Sequence, residues 1–134
     1  MKQSDCERAR LFLRRAKRSI DAAKHDLDGG FVEEAISSAY YATLYATKAL
    51  LATRGLETGR HSAALRLLGR EFIAPGKLDR RHGKTISTLL ESRISASYDA
   101  APPFTEQNAE DFIARAREFV AAASALLDGI LAEN

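Results

Sequence analysis

Apolar residues recur at three- and four-residue steps along most of the chain, which is the pattern of amphipathic α-helices. The first such stretch covers about residues 4–28. Ser4 and Glu7 predict a capping box at its start, and Gly29-Gly30 predict its end. The apolar stripe of this helix consists of Ala9, Phe12, Leu13, Ala16, Ile20, Ala23 and Leu27.

The second stretch runs from Phe31 to about Arg54 and is apolar on nearly every side. One of its stripes contains Val32, Ile36, Ala39, Thr43, Ala46 and Leu50, and its other sides carry Ala35, Tyr40, Leu44 and Leu51. A helix without a polar face has to be covered by other helices. This segment is therefore predicted to be the central helix.

Three further helices follow. A shorter third helix is predicted at residues 62–72, a fourth from its N-cap Asp79 to about Tyr98, and a fifth from its N-cap Thr105. The expected buried residues are Leu65, Leu68 and Phe72 in the third helix, Ile86, Leu89, Leu90 and Ile94 in the fourth, and Phe112, Ala116, Phe119, Ala123, Leu126 and Ile130 in the fifth. The predicted fold class is all-α, an antiparallel up-and-down bundle of about five helices that forms a single domain over residues 1–134.

The composition excludes several classes of protein. The single cysteine, Cys6, excludes an intramolecular disulfide and a zinc site built from several cysteines. No apolar run approaches the ~18 residues of a membrane span, and no signal-peptide pattern precedes the first helix. We expect a cytoplasmic protein that does not interact with membranes.

The charges are segregated along the chain although the net charge is only +2. Residues 1–24, 25–53, 54–98 and 99–134 carry +5, −3, +5 and −5. Such blocks mark either a surface for an anionic partner or oppositely charged helices that lie side by side, and the second explanation is the simpler one.

The sequence contains no motif for a nucleotide-binding loop or for a metal site. Its glycines lack the Lys-Ser/Thr ending of a phosphate loop. His25, His61 and His82 are too widely separated to form a helical metal-binding pair. No cofactor and no metal ion is expected.

The tyrosines of the second helix are candidate site residues. Tyr41 and Tyr45 stand one turn apart, and Tyr40 points about 100° away from Tyr41. Their hydroxyl groups either find hydrogen-bond partners within the core or border a cleft in which phenols meet a polar ligand.

Arg93 is the second candidate, because it follows Leu89-Leu90 on a helix whose buried stripe it partly joins. A half-buried guanidinium group requires an anion. That anion is either an internal carboxylate, from Glu33, Glu34 or Asp99, or a phosphate group whose charge Arg93 stabilises.

A family resemblance rests on motifs spread over most of the chain. These motifs are Ser37-Ser38-Ala39-Tyr40-Tyr41-Ala42, Tyr45, Ala49-Leu50-Leu51, Gly55, His61-Ser62, Gly69-x-x-Phe72, Gly76-Lys77-Leu78, Arg93 and Tyr98-Asp99. With them the chain resembles a HEPN domain over about residues 5–125, and it is most similar to the small stand-alone prokaryotic HEPN proteins.

The resemblance implies a five-helix bundle that forms a homodimer and is often encoded beside a minimal nucleotidyltransferase as a two-component, toxin–antitoxin pair. Catalytic members are metal-independent RNases that use an arginine followed, after four to six residues, by a histidine. Arg93 matches the arginine, but the window after it holds Tyr98 and no histidine. A phenol with a pKa of about 10 is a poor base at neutral pH, so the resemblance leans away from an enzyme.

Three functions follow as expectations. The first is a dimeric binding subunit whose cleft contains Arg93, Tyr98 and Asp99, with Tyr41, Tyr45 and His61 as further site residues, and which binds a nucleotide, an RNA phosphate or a partner nucleotidyltransferase. The second is a metal-independent endoribonuclease toxin in which Arg93 stabilises charge and Tyr98 or a distant histidine moves protons. The third is a purely structural bundle that dimerises through the apolar stripes of its first and fifth helices.

Overall fold

The computed structural model describes residues 1–133 and contains five α-helices. They are α1 (Gln3–Asp28), α2 (Val32–Ala52), α3 (His61–Leu68), α4 (Arg80–Tyr98) and α5 (Glu106–Ala132), and α3 continues into one π-helical turn at Gly69–Ile73. No strand occurs within residues 1–133. The predicted all-α fold of five helices is confirmed.

Helix α2 lies at the centre of the bundle, as its apolar sequence predicts. It contacts all four other helices, and alanines make up a large part of its buried surface. Small side chains allow neighbouring helix backbones to approach closely. Its buried residues are Ala35, Ile36, Ala39, Tyr40, Ala42, Thr43, Leu44, Ala46, Thr47, Ala49, Leu50, Leu51 and Ala52.

Helices α1 and α5 bury their apolar faces within the same chain. The α1 stripe is buried as predicted, except that Phe12 and Leu27 are only partly covered. On α5 the buried residues are Ala109, Ile113, Ala116, Phe119, Val120, Ala123 and Leu127. This face is shifted by about one residue from the predicted stripe because α5 packs against α1, α2 and α4 together. Most of both stripes is therefore buried inside the monomer, while Phe12, Leu27, Phe112, Leu126 and Ile130 are only partly covered.

Two of the three predicted N-caps are correct. The Asp79 side chain accepts a hydrogen bond from the Arg81 amide, and Thr105 and Asn108 form a reciprocal capping box. The Ser4 capping box is wrong, because α1 begins at Gln3 and its N-cap residue Lys2 makes no side-chain capping bond. Ser4 lies inside the helix instead.

The prediction that Ile94 is buried on α4 is also wrong, since 43% of its surface is exposed. The buried residues of this helix are His82, Thr85, Ile86, Leu89 and Ser92. Ile94 lies about 140° around the helix from Leu89, which turns it away from the core.

None of the helices within residues 1–133 combines the length and the apolar character that a membrane span requires.

Candidate functional site

One edge of α2 remains open while the rest of that helix is covered. Tyr41, Tyr45 and Lys48 follow one another at four- and three-residue steps along this edge, and each is only partly buried. Phe12 of α1 stacks on Tyr45 from one side, with ring centroids 6.3 Å apart. His61 of α3 approaches Tyr41 from the other side, with centroids 6.1 Å apart. The candidate site therefore lies where α1 and α3 meet the open edge of α2.

Arg93 reaches this edge from α4. Its Nη2 donates a hydrogen bond to the Tyr41 hydroxyl at 3.0 Å, and its guanidinium carbon lies 5.4 Å from the centre of the Tyr41 ring and 6.0 Å from that of Tyr40. Its Nε is buried and has no hydrogen-bond partner within the part of the chain that the structure describes.

The Arg93 guanidinium makes no ion pair with any of residues 1–133. The expected internal carboxylate, from Glu33, Glu34 or Asp99, is therefore not its partner. Asp99 lies just beyond the end of α4 and accepts a hydrogen bond from Ser95 instead.

His61 is the first residue of α3 and contacts both Tyr40 and Tyr41 through its ring. Burial lowers the pKa of this imidazole, and the positive charges of Arg93 and Lys48 lower it further. The ring is therefore neutral at pH 7. The sequence motif included His61, but only the docking of α3 against α2 brings it to the tyrosines.

Tyr40 and Tyr45 have different environments. Burial raises the pKa of Tyr40 to about 12, although Arg93 acts in the opposite direction. The Tyr45 hydroxyl accepts a hydrogen bond from Arg15 Nη2 at 2.7 Å, and the Arg15 guanidinium carbon lies 4.1 Å from the centre of the ring.

Sequence reasoning did not single out Arg15. It stands thirty residues before Tyr45, and its only signal was the basic character of the first helix.

Tyr98 and Asp99 are not brought to Arg93 within one chain. Tyr98 is 82% exposed and takes no part in the ring contacts or hydrogen bonds of the site. It lies five residues after Arg93 and so points about 140° away around α4. Of the predicted site residues, the structure joins Arg93, Tyr41, Tyr45 and His61, and leaves the other two apart.

The chemistry of this cluster suits an anion. Guanidinium, ammonium and phenol groups supply hydrogen-bond donors. Within residues 1–133 no group of three His, Cys, Asp or Glu side chains is placed to hold a metal ion.

The HEPN domain family model matches residues 9–126, which is most of the chain. The chain belongs to the HEPN family. A UPF0332 protein from Thermotoga maritima is 33% identical to this HEPN protein over 117 residues, which cover 87% of this chain and 89% of the relative. The protein named "Putative toxin MJ0605" from Methanocaldococcus jannaschii is 30% identical over 114 residues, which cover 85% of this chain and 84% of the relative.

The HEPN fold is also found in a solved structure. The crystal structure of ST0689, described as an archaeal HEPN homologue, superposes with a TM-score of 0.72 at 21% identity and covers 95% of this chain and 99% of its own. At that identity the likeness concerns the fold alone, and it agrees with the five-helix bundle described above.

The unpaired guanidinium group leads to a prediction about stability. If Arg93 were in a buried ion pair, Arg93→Ala would lower the free energy of unfolding by about 3–5 kcal/mol, since a carboxylate would be left alone. Because no carboxylate of residues 1–133 pairs with Arg93, we expect Arg93→Met to change the free energy of unfolding by less than about 1 kcal/mol. Urea unfolding measures this difference. The Met side chain keeps the packing of the aliphatic stem, so a large loss in Arg93→Met would contradict the structure.

Proposed function

We propose that this HEPN protein is the toxin-like component of a two-component, toxin–antitoxin pair, and that it acts as a dimeric subunit that binds a phosphate group of a nucleotide or an RNA at Arg93. The observation that carries the proposal is the half-buried Arg93 guanidinium, which lacks an anionic partner among residues 1–133. Desolvating a cation without such a partner costs free energy. A phosphate supplies the missing acceptors, because two of its oxygens can accept hydrogen bonds from the planar guanidinium group.

The neighbours of Arg93 support a phosphate ligand. The Tyr41 hydroxyl already accepts from Arg93, so its own proton is free to be donated to a ligand oxygen. Lys48 is close enough to His61 for its charge to act on that imidazole. These groups would place donors and positive charge on more than one side of a bound anion.

The toxin role draws on the relatives. Two proteins of Methanocaldococcus jannaschii that resemble this chain carry the words "putative toxin" in their names. Small HEPN proteins of this kind are often encoded beside a minimal nucleotidyltransferase, which we propose as the partner and antitoxin of this chain.

The dimer is supported by an exposed apolar pair on α4. Ile94 directly follows Arg93 in the sequence, and Tyr98 stands one turn after Ile94. Both side chains are exposed. A second copy that covers this pair would bring Tyr98 and Asp99 of one subunit towards the other subunit and place the two Arg93 sites near one interface. Such a dimer would restore the cleft that a single chain does not form.

Phosphate binding is tested by calorimetric titration of the protein with ATP. We expect Arg93→Gln to weaken binding by about tenfold or more, since it removes a charge-assisted contact, and Tyr41→Phe to weaken it less. Arg80→Gln is the matched control, because this exposed arginine lies about 20 Å away at the start of the same helix. The proposal would be refuted if Arg93→Gln and Arg80→Gln weakened ATP binding equally. It would also be refuted if the unaltered protein bound neither ATP nor RNA.

The dimer is tested by sedimentation equilibrium at micromolar concentration. We expect about twice the 14.7 kDa mass of the chain, and we expect the double variant Ile94→Asp/Tyr98→Asp to sediment as a monomer. Leu11→Asp is the control, since Leu11 is an equally exposed apolar residue on α1. An unaltered protein that stays monomeric, or a double variant that stays dimeric, would exclude this interface.

A second candidate function, a metal-independent endoribonuclease, is favoured by the position of His61. The window after Arg93 lacks a histidine, but α3 brings a neutral imidazole to the same tyrosines that Arg93 contacts. In this function His61 takes the proton from a ribose 2′-hydroxyl, whose oxygen forms a bond to the adjacent phosphorus while Arg93 stabilises the charge that develops on the phosphate. The bond from phosphorus to the 5′-oxygen breaks, and water supplies the proton that the leaving oxygen takes up.

The RNase function is tested by incubating structured RNA with the protein in EDTA. We expect little cleavage, because His61 comes from outside the sequence window that the family's RNases use. Any cleavage should be lost in both His61→Gln and Arg93→Gln and kept in Tyr98→Phe, since Tyr98 lies outside the cluster. Cleavage that depends on Tyr98 and is independent of His61 would show that the protons are moved elsewhere.

A further inference from the structure

Helix α1 carries a concentration of positive charge that the site described above does not use. Between Glu7 and Asp21, thirteen consecutive residues include six basic and no acidic side chains. In a helix they extend over about 20 Å. The basic residues are Arg8, Arg10, Arg14, Arg15, Lys17 and Arg18.

These charges are not neutralised by the acidic helix α5. Among residues 1–133, Arg8 is the only basic residue of α1 that forms a salt bridge, and its partners Asp5 and Glu57 lie at the long distance of 3.8 Å and outside α5. Its Nε is buried without a hydrogen-bond partner, as is that of Arg93. The pairing of oppositely charged helices therefore does not explain the basic block of α1.

The basic residues occupy two different flanks of α1. Around the helix, Arg8 and Arg15 lie on one flank of the buried stripe, and the exposed Leu11, Arg14 and Arg18 lie on the side away from that stripe. Arg10 and Lys17 lie on the opposite flank, where Lys17 lines a separate depression beside Arg117 of α5.

Three adjoining depressions follow the first flank. One of about 420 Å³ is lined by Arg8, Leu11, Phe12, Arg14, Arg15 and Arg18. It shares Arg8 and Phe12 with a pocket of about 150 Å³ beside Lys48 and residues 56–59, and it shares Arg15 and Arg18 with one of about 370 Å³ beside Tyr45. We refer to this continuous surface as the arginine groove.

The arginine groove leads to the Arg93 site. Arg15 hydrogen-bonds Tyr45, the Tyr45 ring lies 6.1 Å from that of Tyr41, and Tyr41 accepts from Arg93. A chain-like anion that follows α1 would therefore reach Arg93 by way of the two tyrosines.

We infer that the arginine groove binds the sugar–phosphate backbone of a single-stranded polynucleotide, one phosphate of which enters the Arg93 site. The inference rests on the proposed function for the position of that last phosphate. A row of guanidinium groups matches a row of phosphates, and the apolar surface of Leu11, which is 53% exposed, is available to the face of a base. An acidic polypeptide would meet the same charges, and it is the alternative that the experiment has to separate.

The test measures the fluorescence anisotropy of a 5′-fluorescein-labelled twelve-nucleotide oligouridine RNA between 50 and 200 mM KCl. We expect Arg14→Gln/Arg18→Gln to weaken binding about tenfold or more at 50 mM KCl. The slope of log K against log salt should fall by about 1.4, because each lost phosphate contact with a single strand contributes about 0.7. Leu11→Ser should weaken binding about threefold and leave the slope unchanged, since it removes an apolar contact and no charge.

The matched control is Lys17→Gln/Lys24→Gln, which removes the same charge from two exposed residues of the same helix that line none of the three depressions. It should change the affinity by less than about threefold and leave the slope unaltered. Equal losses in the two double variants would overturn the inference. Polyglutamate of equal charge that competes as well as unlabelled oligouridine would also overturn it and would assign the groove to an acidic polypeptide.

Titration with ATP separates this inference from the proposed function. The Arg14→Gln/Arg18→Gln variant should bind ATP as the unaltered protein does, because a mononucleotide needs only the Arg93 site. If ATP does not bind and Arg93→Gln leaves oligouridine binding unchanged, while that binding still depends on Arg14 and Arg18, the groove stands and the Arg93 phosphate site is refuted. If ATP binding depends on Arg93 while oligouridine binding does not depend on Arg14 and Arg18, the proposal that the arginine groove binds a polynucleotide is refuted.

Discussion

The close packing of four helices around α2 is the constraint on which the rest of the molecule depends. Alanines such as Ala39, Ala42 and Ala46 allow the neighbouring backbones to come near, so a large side chain does not fit at these positions. Tyr41 and Tyr45 lie instead on the one edge of α2 that stays open. The same packing that stabilises the core therefore gathers the phenols at a surface that α1, α3 and α4 border.

The fold could be predicted from the sequence wherever it depends on a local feature, such as the apolar character of a helix or a capping side chain. The lack of a polar face placed α2 at the centre, and the side chains of Asp79 and Thr105 cap α4 and α5 by accepting hydrogen bonds from the amides of Arg81 and Asn108. The capping box predicted at Ser4 is wrong because a helix can begin one or two residues earlier with little change in free energy. The prediction that Ile94 is buried is wrong because the helical period, followed from the buried Leu89, turns the Ile94 side chain toward solvent.

The candidate site was predictable in part for a similar reason. The spacing of Tyr41 and Tyr45 and the position of Arg93 after Leu89 are local features, so they could be recognised in the sequence. The contacts of His61 and Arg15 depend on how α3 and α1 dock against α2, which no local pattern encodes. That no carboxylate of the described residues, 1–133, pairs with Arg93 is likewise a tertiary property, and it is the one that distinguishes an internal ion pair from a binding site.

The buried phenol of Tyr40 limits how the site responds to its surroundings. With a pKa of about 12, it does not become an anion in any ordinary medium, while the low pKa of His61 means that only acid adds a positive charge there. Tyr40 therefore adds no negative charge to the cluster at neutral pH, and the positive potential rises on acidification as His61 takes up a proton. A positive potential by itself attracts small anions of equal charge alike, so discrimination between them has to come from shape and from the length of the molecule to which the anion belongs.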